Sequence, residues 1–316
     1  MMLETVQGEI VGASEEANRL RQFVAEAARS MAPVTFTGEP GTGKKVAARL
    51  IHECSARSRG PFLMVDCSLF FDRELKRELF GYVASGSQCQ KSRKGLLEFA
   101  SKGTCYLSRV EELSPSIQSS LLALLRTGKF ARLGDGKAIA TEVRIITSSS
   151  KNLGGFVEAG LFDKALFHEL MAMSLHLSPL RDRSGDVATI VESLLRRKAA
   201  ESARGAHVTL TAEALQALAA YPWPGNLDEL EGEILRLCGA ASGLVGPEQL
   251  ALEISSHWLG RRGDPEVRKV LDELDGHIRE FRVLSRLDLS YGELVGIAGS
   301  KGVPISCSPR DSFGEP

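Results

Sequence analysis

One stretch constrains this chain more than any other: Val34-Thr35-Phe36-Thr37-Gly38-Glu39-Pro40-Gly41-Thr42-Gly43-Lys44-Lys45. Its first four residues are apolar or β-branched and read as a buried strand. Gly38, Gly41 and Gly43 follow, and Val46-Ala47-Ala48-Arg49-Leu50-Ile51 begins a helix pattern. The turn fits G-x-x-x-x-G-K, the phosphate-binding loop. In such a loop the backbone N–H groups converge on a phosphate, and the helix N-terminus behind them adds its dipole. Lys44 supplies a point charge for the outer phosphates. The full motif continues with Ser or Thr to hold magnesium. Here that position is Lys45. A structural glycine turn that binds nothing is the alternative.

Composition narrows the setting. The chain has 316 residues, 43% hydrophobic and 25% charged, enough for two or three domains with a sizeable core. The formal net charge of −1 gives no overall basic field toward nucleic acid or membrane. No apolar run approaches the ~18 residues of a membrane span. Met1-Met2-Leu3-Glu4-Thr5 lacks the basic-then-apolar order of a secretory leader. The six cysteines (54, 67, 89, 105, 238 and 307) form no CxxC pair and read as reduced thiols. Neither they nor the six scattered histidines show metal-ligand spacing. The expectation is a cytoplasmic protein with no metal site of its own.

Patterning orders the rest. Ser14 to Arg29 is helix-like, with Ser14 as cap and Leu20, Phe23, Val24 and Ala27 on one face. Pro61–Val65, Gly103–Leu107, Val143–Thr147 and Met173–Leu177 read as further strands, with helices over Phe70–Phe80 and Ile117–Leu125 between them. Gly81 to Gly95 reads as an exposed loop, and His176 as a strand-edge side chain. Strands alternating with helices argue for an α/β fold with a mainly parallel sheet covered on both faces. After Pro179 the pattern turns helical, over Asp186–Lys198, Thr211–Ala220, Asn226–Cys238 and Pro247–Leu252. The last segment carries one amphipathic helix around Val267–Leu284, and Ser306–Pro316 reads as disordered.

Several strings in this order resemble the AAA+ domain of the NtrC-type, sigma-54-dependent transcription activators, over about residues 8–255. Gly38-Glu39-Pro40-Gly41-Thr42-Gly43-Lys44 is similar to that family's GESGTGK, Glu78-Leu79-Phe80-Gly81 to its ELFG, and Arg93-Lys94-Gly95 to its RKG. Gln118-Ser119-Ser120-Leu121-Leu122, Pro179-Leu180-Arg181-Asp182-Arg183 and Tyr221-Pro222-Trp223-Pro224-Gly225-Asn226-Leu227 have counterparts too. The resemblance implies a P-loop AAA+ α/β domain over residues 1–180, a helical lid over 181–255 and a C-terminal helix and tail over 256–316. It implies an ATP or ADP site made of Gly38, Glu39, Pro40, Gly41, Thr42, Gly43, Lys44 and Lys45, with Ile10 and Val11 beside it.

The departures bear on activity. The family's two strand-tip acids, which hold magnesium and prime the attacking water, fall on Ser108 and Arg109. Its sensor asparagine falls on Ser150, its two arginine fingers on Asp163 and Glu169, and its lid arginine on Asp228. The asparagine that links nucleotide state to the remodelling loop falls on Asp66, and the segment Ala84–Cys89 lacks the Phe and Thr that grip sigma-54. Loss of an arginine finger alone costs about 10³–10⁵ in rate, roughly 4–7 kcal/mol of barrier. These substitutions imply a pseudo-ATPase with doubtful magnesium, no assigned catalytic residue and no assigned metal ligand. Two alternatives stand beside it: an interaction scaffold with a vestigial P-loop, and an active ATPase with relocated acids. A protein partner is expected, from the transcription machinery or another AAA+ protein. Residues 256–316 hold nine Lys/Arg and ten Asp/Glu, which is no DNA-binding footprint. An ATP-driven homo-hexamer is disfavoured, because acids at the finger positions repel a neighbour's phosphates.

Overall fold

Val34 and Phe36 have no exposed surface, and they anchor the first strand, β1 (Val34–Thr37), between two neighbours in a parallel sheet. The computed structural model describes residues 6, 8–83, 92–201, 208–240 and 243–261. The middle of the loop expected over Gly81–Gly95, the helix around Val267–Leu284 and the tail Ser306–Pro316 lie outside the described residues; the ends of that loop are paired strand, Gly81–Tyr82 against Arg93–Lys94, rather than loop. The sheet also contains β2 (Phe62–Asp66), β5 (Thr104–Ser108), β8 (Arg144–Ser149) and β9 (Met173–His176). Its five strands run in the order β2-β5-β8-β1-β9, with β1 paired to β8 from Val34↔Ile146 to Thr37↔Ser149. Two short antiparallel ribbons flank it, β3 (Gly81–Tyr82) with β4 (Arg93–Lys94) and β6 (Lys129–Ala131) with β7 (Ala138–Ala140).

Alternation along the strands builds two cores. On β5, Cys105 and Leu107 face one side while Tyr106 faces the other, as side chains on successive strand positions must. The Tyr106 side is covered by α1 (Glu15–Arg29) and α2 (Lys44–Glu53), through Leu20, Val24, Ala47 and Ile51. The other side is covered by α3 (Asp72–Phe80), the single turn α4 (Leu96–Phe99), α5 (Pro115–Thr127), the short α6 (Leu153–Glu158) and α7 (Lys164–Leu170). Each fully buried Leu, Ile or Phe here contributes about 1.5–3 kcal/mol. Ser14 caps α1 by accepting from the Ala17 N–H at 3.1 Å, as its sequence position predicts.

Three sequence expectations move. The helix expected from Phe70 begins at Asp72, because Asp66 caps a 3-10 turn over Cys67–Leu69 and Phe70 and Phe71 stay extended. The strand expected to end at Thr147 continues to Ser149, since Phe36 and Thr37 offer it partners in Ser148 and Ser149. The helix expected over Pro247–Leu252 is instead one 3-10 turn, Pro247–Gln249, after which Leu250 is extended.

The chain forms two compact units. The first joins residues 1–209 with 222–244 and holds the sheet, α8 (Val187–Glu201) and α10 (Asn226–Ala240). The second joins 210–221 with 245–316 and holds α9 (Ala212–Ala220), capped by Thr211, and α11 (Leu252–Arg261). Within the second unit the His257 ring packs edge-on to Tyr221, and its Nε2 lies 3.1 Å from the Ala220 carbonyl.

Candidate nucleotide site

The glycine-rich loop leaves the C-terminal end of β1 and closes at the N-terminus of α2. That is the sheet end where open α/β folds bind ligands. Gly38 and Gly41 take positive φ, 137° and 77°. A Cβ on Gly38 would lie 2.4 Å from the Leu177 carbonyl oxygen, and one on Gly41 2.1 Å from that of Gly225. Only glycine serves at either place. Gly43 is the N-cap of α2, in the left-handed region, and supplies no side-chain cap, so no side chain of the cap residue answers the helix's first N–H groups. They form the anion-binding end that the motif requires.

Lys44 is buried, and its Nζ donates to the carbonyl oxygens of Gly38 and Glu39, both at 2.6 Å. Burial lowers its pKa, and the carboxylates of Glu111, Asp228 and Glu39 oppose that effect. Thr42 Oγ1 also donates to the Glu39 carbonyl, at 2.8 Å. Lys45 is exposed on the first turn of α2.

The Glu39 side chain is claimed by the far side of the site. Arg181 grips its carboxylate with two hydrogen bonds, 2.9 and 2.6 Å, and the Asn226 side-chain amide donates at 3.2 Å. Those bonds, Arg181 first, lower the Glu39 pKa to about 2. Asn226 has no exposed surface and makes three tethers: it also donates to the Pro40 carbonyl at 2.9 Å and accepts from the Leu180 N–H at 2.8 Å. The Leu227 N–H donates to the Gly41 carbonyl at 2.9 Å. The start of α10 is thereby bonded directly to the phosphate loop.

Behind the loop lies a cavity of about 400 Å³, bordered by Ile10, Val11, Thr42, Gly43, Val46 and Leu227. Ile10 and Val11 thus border the same cavity as the loop residues Thr42 and Gly43. Two residues that sequence reasoning missed hold them there. Arg21 donates to the carbonyls of Ile10 and Gly12, and Asp186 accepts from the Ala13 and Ser14 N–H groups at 2.8 and 2.9 Å. Ser14 signalled an N-cap in the sequence, but nothing local pointed to Asp186, more than 170 residues away.

The strand tips carry unusual chemistry. Ser108 ends β5, and Arg109 follows in the left-handed region at φ 55°. The Arg109 guanidinium pairs with both carboxylate oxygens of Asp66 at the tip of β2. Burial pushes the Asp66 carboxyl up, and the hydrogen bonds from Arg109 and Ser68 outweigh it, leaving the pKa below the usual value. Glu112 pairs with Lys151 at 2.8 Å. Glu111 is buried, and its Oε1 accepts from the Ser150 N–H at 3.0 Å. Further out, Asp163 caps α7 by accepting from the Leu166 N–H at 2.7 Å, and Glu169 pairs with Arg126 at 2.9 Å. Among the described residues no cluster of three or more His, Cys, Asp or Glu is placed to hold a metal. Cys54, Cys67, Cys105 and Cys238 are free thiols. No helix among the described residues is long and apolar enough to cross a membrane.

A parallel sheet with an interior strand running into a P-loop, with helices on both faces and a helical segment bonded to that loop, defines a nucleotide-binding fold of the AAA+ class. Residues 10–176 match the sigma-54 interaction domain, and residues 181–261 match the AAA+ ATPase lid domain. The chain belongs to the sigma-54 interaction domain family. It is 34% identical over 235 residues to a Nif-specific regulatory protein of Bradyrhizobium diazoefficiens, covering 74% of this chain and 40% of that protein. It is 36% identical over 222 residues to the regulatory protein AtoC of Escherichia coli, covering 70% of this chain and 48% of AtoC. The chain thus spans about half the length of these relatives or less. A crystal structure of NtrX from Brucella abortus in complex with ADP superposes with a TM-score of 0.72 at 29% identity, covering 93% of this chain and 70% of that one. The same protein in complex with ATP gives 0.73 at 28%, covering 93% and 70%.

Proposed function

We propose that this protein is a regulatory module of transcription control that binds ATP or ADP and does not hydrolyse it. The observation that carries the reading is the pairing of a complete phosphate loop with a strand tip made of Ser108 and Arg109, the latter spent on Asp66. Phosphoryl transfer needs a metal, a positioned water and charge neutralisation at the γ-phosphate. The residues at the tip fit a magnesium ion poorly: a hydroxyl from Ser108 and a guanidinium from Arg109, with Lys45 exposed on the first turn of α2 and the buried Glu111 carboxylate already bonded to the Ser150 N–H. The loop, the helix dipole and Lys44 fit a nucleotide without that ion.

Membership of the family supports a role in transcription regulation, with a protein partner drawn from the transcription machinery or from another AAA+ protein. On this reading the protein acts in the cytoplasm, residues 1–180 hold the phosphates and 181–255 serve as lid, and the charge balance of 256–316 gives no sign of direct DNA contact. One observation favours a second reading, the interaction scaffold: Lys44 is satisfied by its own loop carbonyls. Thermal melting separates the two. At a nucleotide concentration ~100-fold above Kd, binding adds about 2.7 kcal/mol. That raises Tm by roughly 4 °C for a chain of this size. Lys44→Ala removes the shift. Absence of a shift with ATP, ADP and the guanine nucleotides selects the scaffold.

A further inference from the structure

We propose that Glu111 makes this site selective for a nucleoside diphosphate over the corresponding triphosphate. The proposal rests on the nucleotide-binding reading above and adds which phosphate state the site accepts.

Glu111 lies in the short turn after β5 and is only 7% exposed. Its Oε1 is fixed by the Ser150 N–H at 3.0 Å, while its Oε2 is out of solvent and has no hydrogen-bond partner. A buried carboxylate oxygen without a donor is a costly arrangement, and it persists where the surrounding structure imposes it. The imposition comes from Ser150, which directly follows β8, the strand paired with β1. Glu111 is thus pinned at the end of the sheet from which the phosphate loop departs.

Its charge acts on Lys44 ahead of those of Asp228 and Glu39. Glu39 is already matched by Arg181. Asp228 lies in the first turn of α10 and borders the cavity beside the loop. The ammonium that a triphosphate would recruit is therefore partly matched by carboxylates before any ligand arrives. Two phosphates of a nucleotide are served by the loop N–H groups and the α2 dipole. The third phosphate of a P-loop ligand relies on metal and charged side chains beyond the loop. The fixed charge behind that region, at the same end of the sheet, is the Glu111 carboxylate, whose unpartnered oxygen is shielded from solvent. Of the cations at this end, Arg109 is bound to Asp66, and Lys45 stands exposed on the first turn of α2, where water screens its charge. Like charges repel more strongly where water is excluded, so the added phosphate is penalised more than it would be in solvent.

The test is isothermal titration of the full chain with ADP and with ATP, both in EDTA so that no divalent ion screens the third phosphate. ADP binds at least about tenfold tighter than ATP, a difference of about 1.4 kcal/mol. Glu111→Gln keeps an acceptor for the Ser150 N–H and removes the charge. ATP affinity then rises, ADP affinity stays nearly the same, and the ratio falls to within about threefold. Glu111→Gly gives the same narrowing if the glutamine variant folds poorly. ATP bound as tightly as ADP by the unaltered protein overturns the proposal, as does a ratio that both variants leave unchanged. If neither nucleotide binds, the nucleotide reading itself falls; if both bind equally, only the selectivity falls.

Discussion

Arg109 shows how one residue can be strained and useful at once. A left-handed backbone costs a non-glycine residue about 1–2 kcal/mol. The two-pronged bond to Asp66 offsets it, though both side chains remain partly exposed, and such pairs contribute about 1 kcal/mol at most. The account therefore predicts that Arg109→Gly changes stability by less than about 1 kcal/mol, because lost pairing and relieved strain cancel. Arg109→Ala keeps the strain and loses the pair, so it destabilises by about 1 kcal/mol more than Arg109→Gly. Urea melts of the two variants decide it. Equal stability of the alanine and glycine variants would mean that the backbone at position 109 relaxes once the guanidinium is gone.

Individual elements were legible in the sequence to different depths. The helix Glu15–Arg29, the strands β2, β5, β8 and β9 and the helices Val187–Glu201, Ala212–Ala220 and Asn226–Ala240 announce themselves through periodicity and caps, whereas Leu252–Arg261 does not. The ribbon β6–β7 does not, since Lys129–Ala131 and Ala138–Ala140 are three residues each and mostly exposed. Nor do the short helices Leu153–Glu158 and Lys164–Leu170, too brief for a helical period. The phosphate loop was legible because its chemistry is local. Its supports, Asn226, Arg181, Arg21 and Asp186, were not visible as supports, because each acts across many residues of sequence. Gln118 is a second case. It was noted only as part of a family string, yet it is buried and bonds the Leu113 and Leu161 carbonyls at 2.7 and 3.1 Å and the Asp163 N–H at 2.7 Å. Gln118→Leu strands the Leu113 carbonyl in a buried setting and leaves the Leu161 carbonyl and Asp163 N–H, on exposed residues, to water, and should cost about 1–3 kcal/mol. A loss under about 1 kcal/mol in the same melts would show that water replaces those bonds.

Assembly belongs to the whole molecule. On the sequence reading, Asp163 and Glu169 fall where the family's arginine fingers are expected, and the structure qualifies the repulsion this implies. Glu169 is paired with Arg126, and Asp163 is engaged as the cap of α7. The unpaired repulsion is smaller than two free carboxylates would give, yet neither position offers a cation to a neighbour's phosphates. The expected outcome is that ATP does not drive a homo-hexamer, read by light scattering after size exclusion. A six-membered ring that forms only with ATP contradicts it. Glu169→Arg is the cleaner companion, since Asp163→Arg also removes a cap worth about 1 kcal/mol. The central claim, binding without turnover, is tested most directly by following inorganic phosphate release from ATP and magnesium, at a concentration where a melting shift proves the site occupied. The account predicts release no faster than that of the Lys44→Ala variant. Release by the unaltered protein that Lys44→Ala abolishes would show that the strand tip, with Ser108 and Arg109 in place, still performs the chemistry.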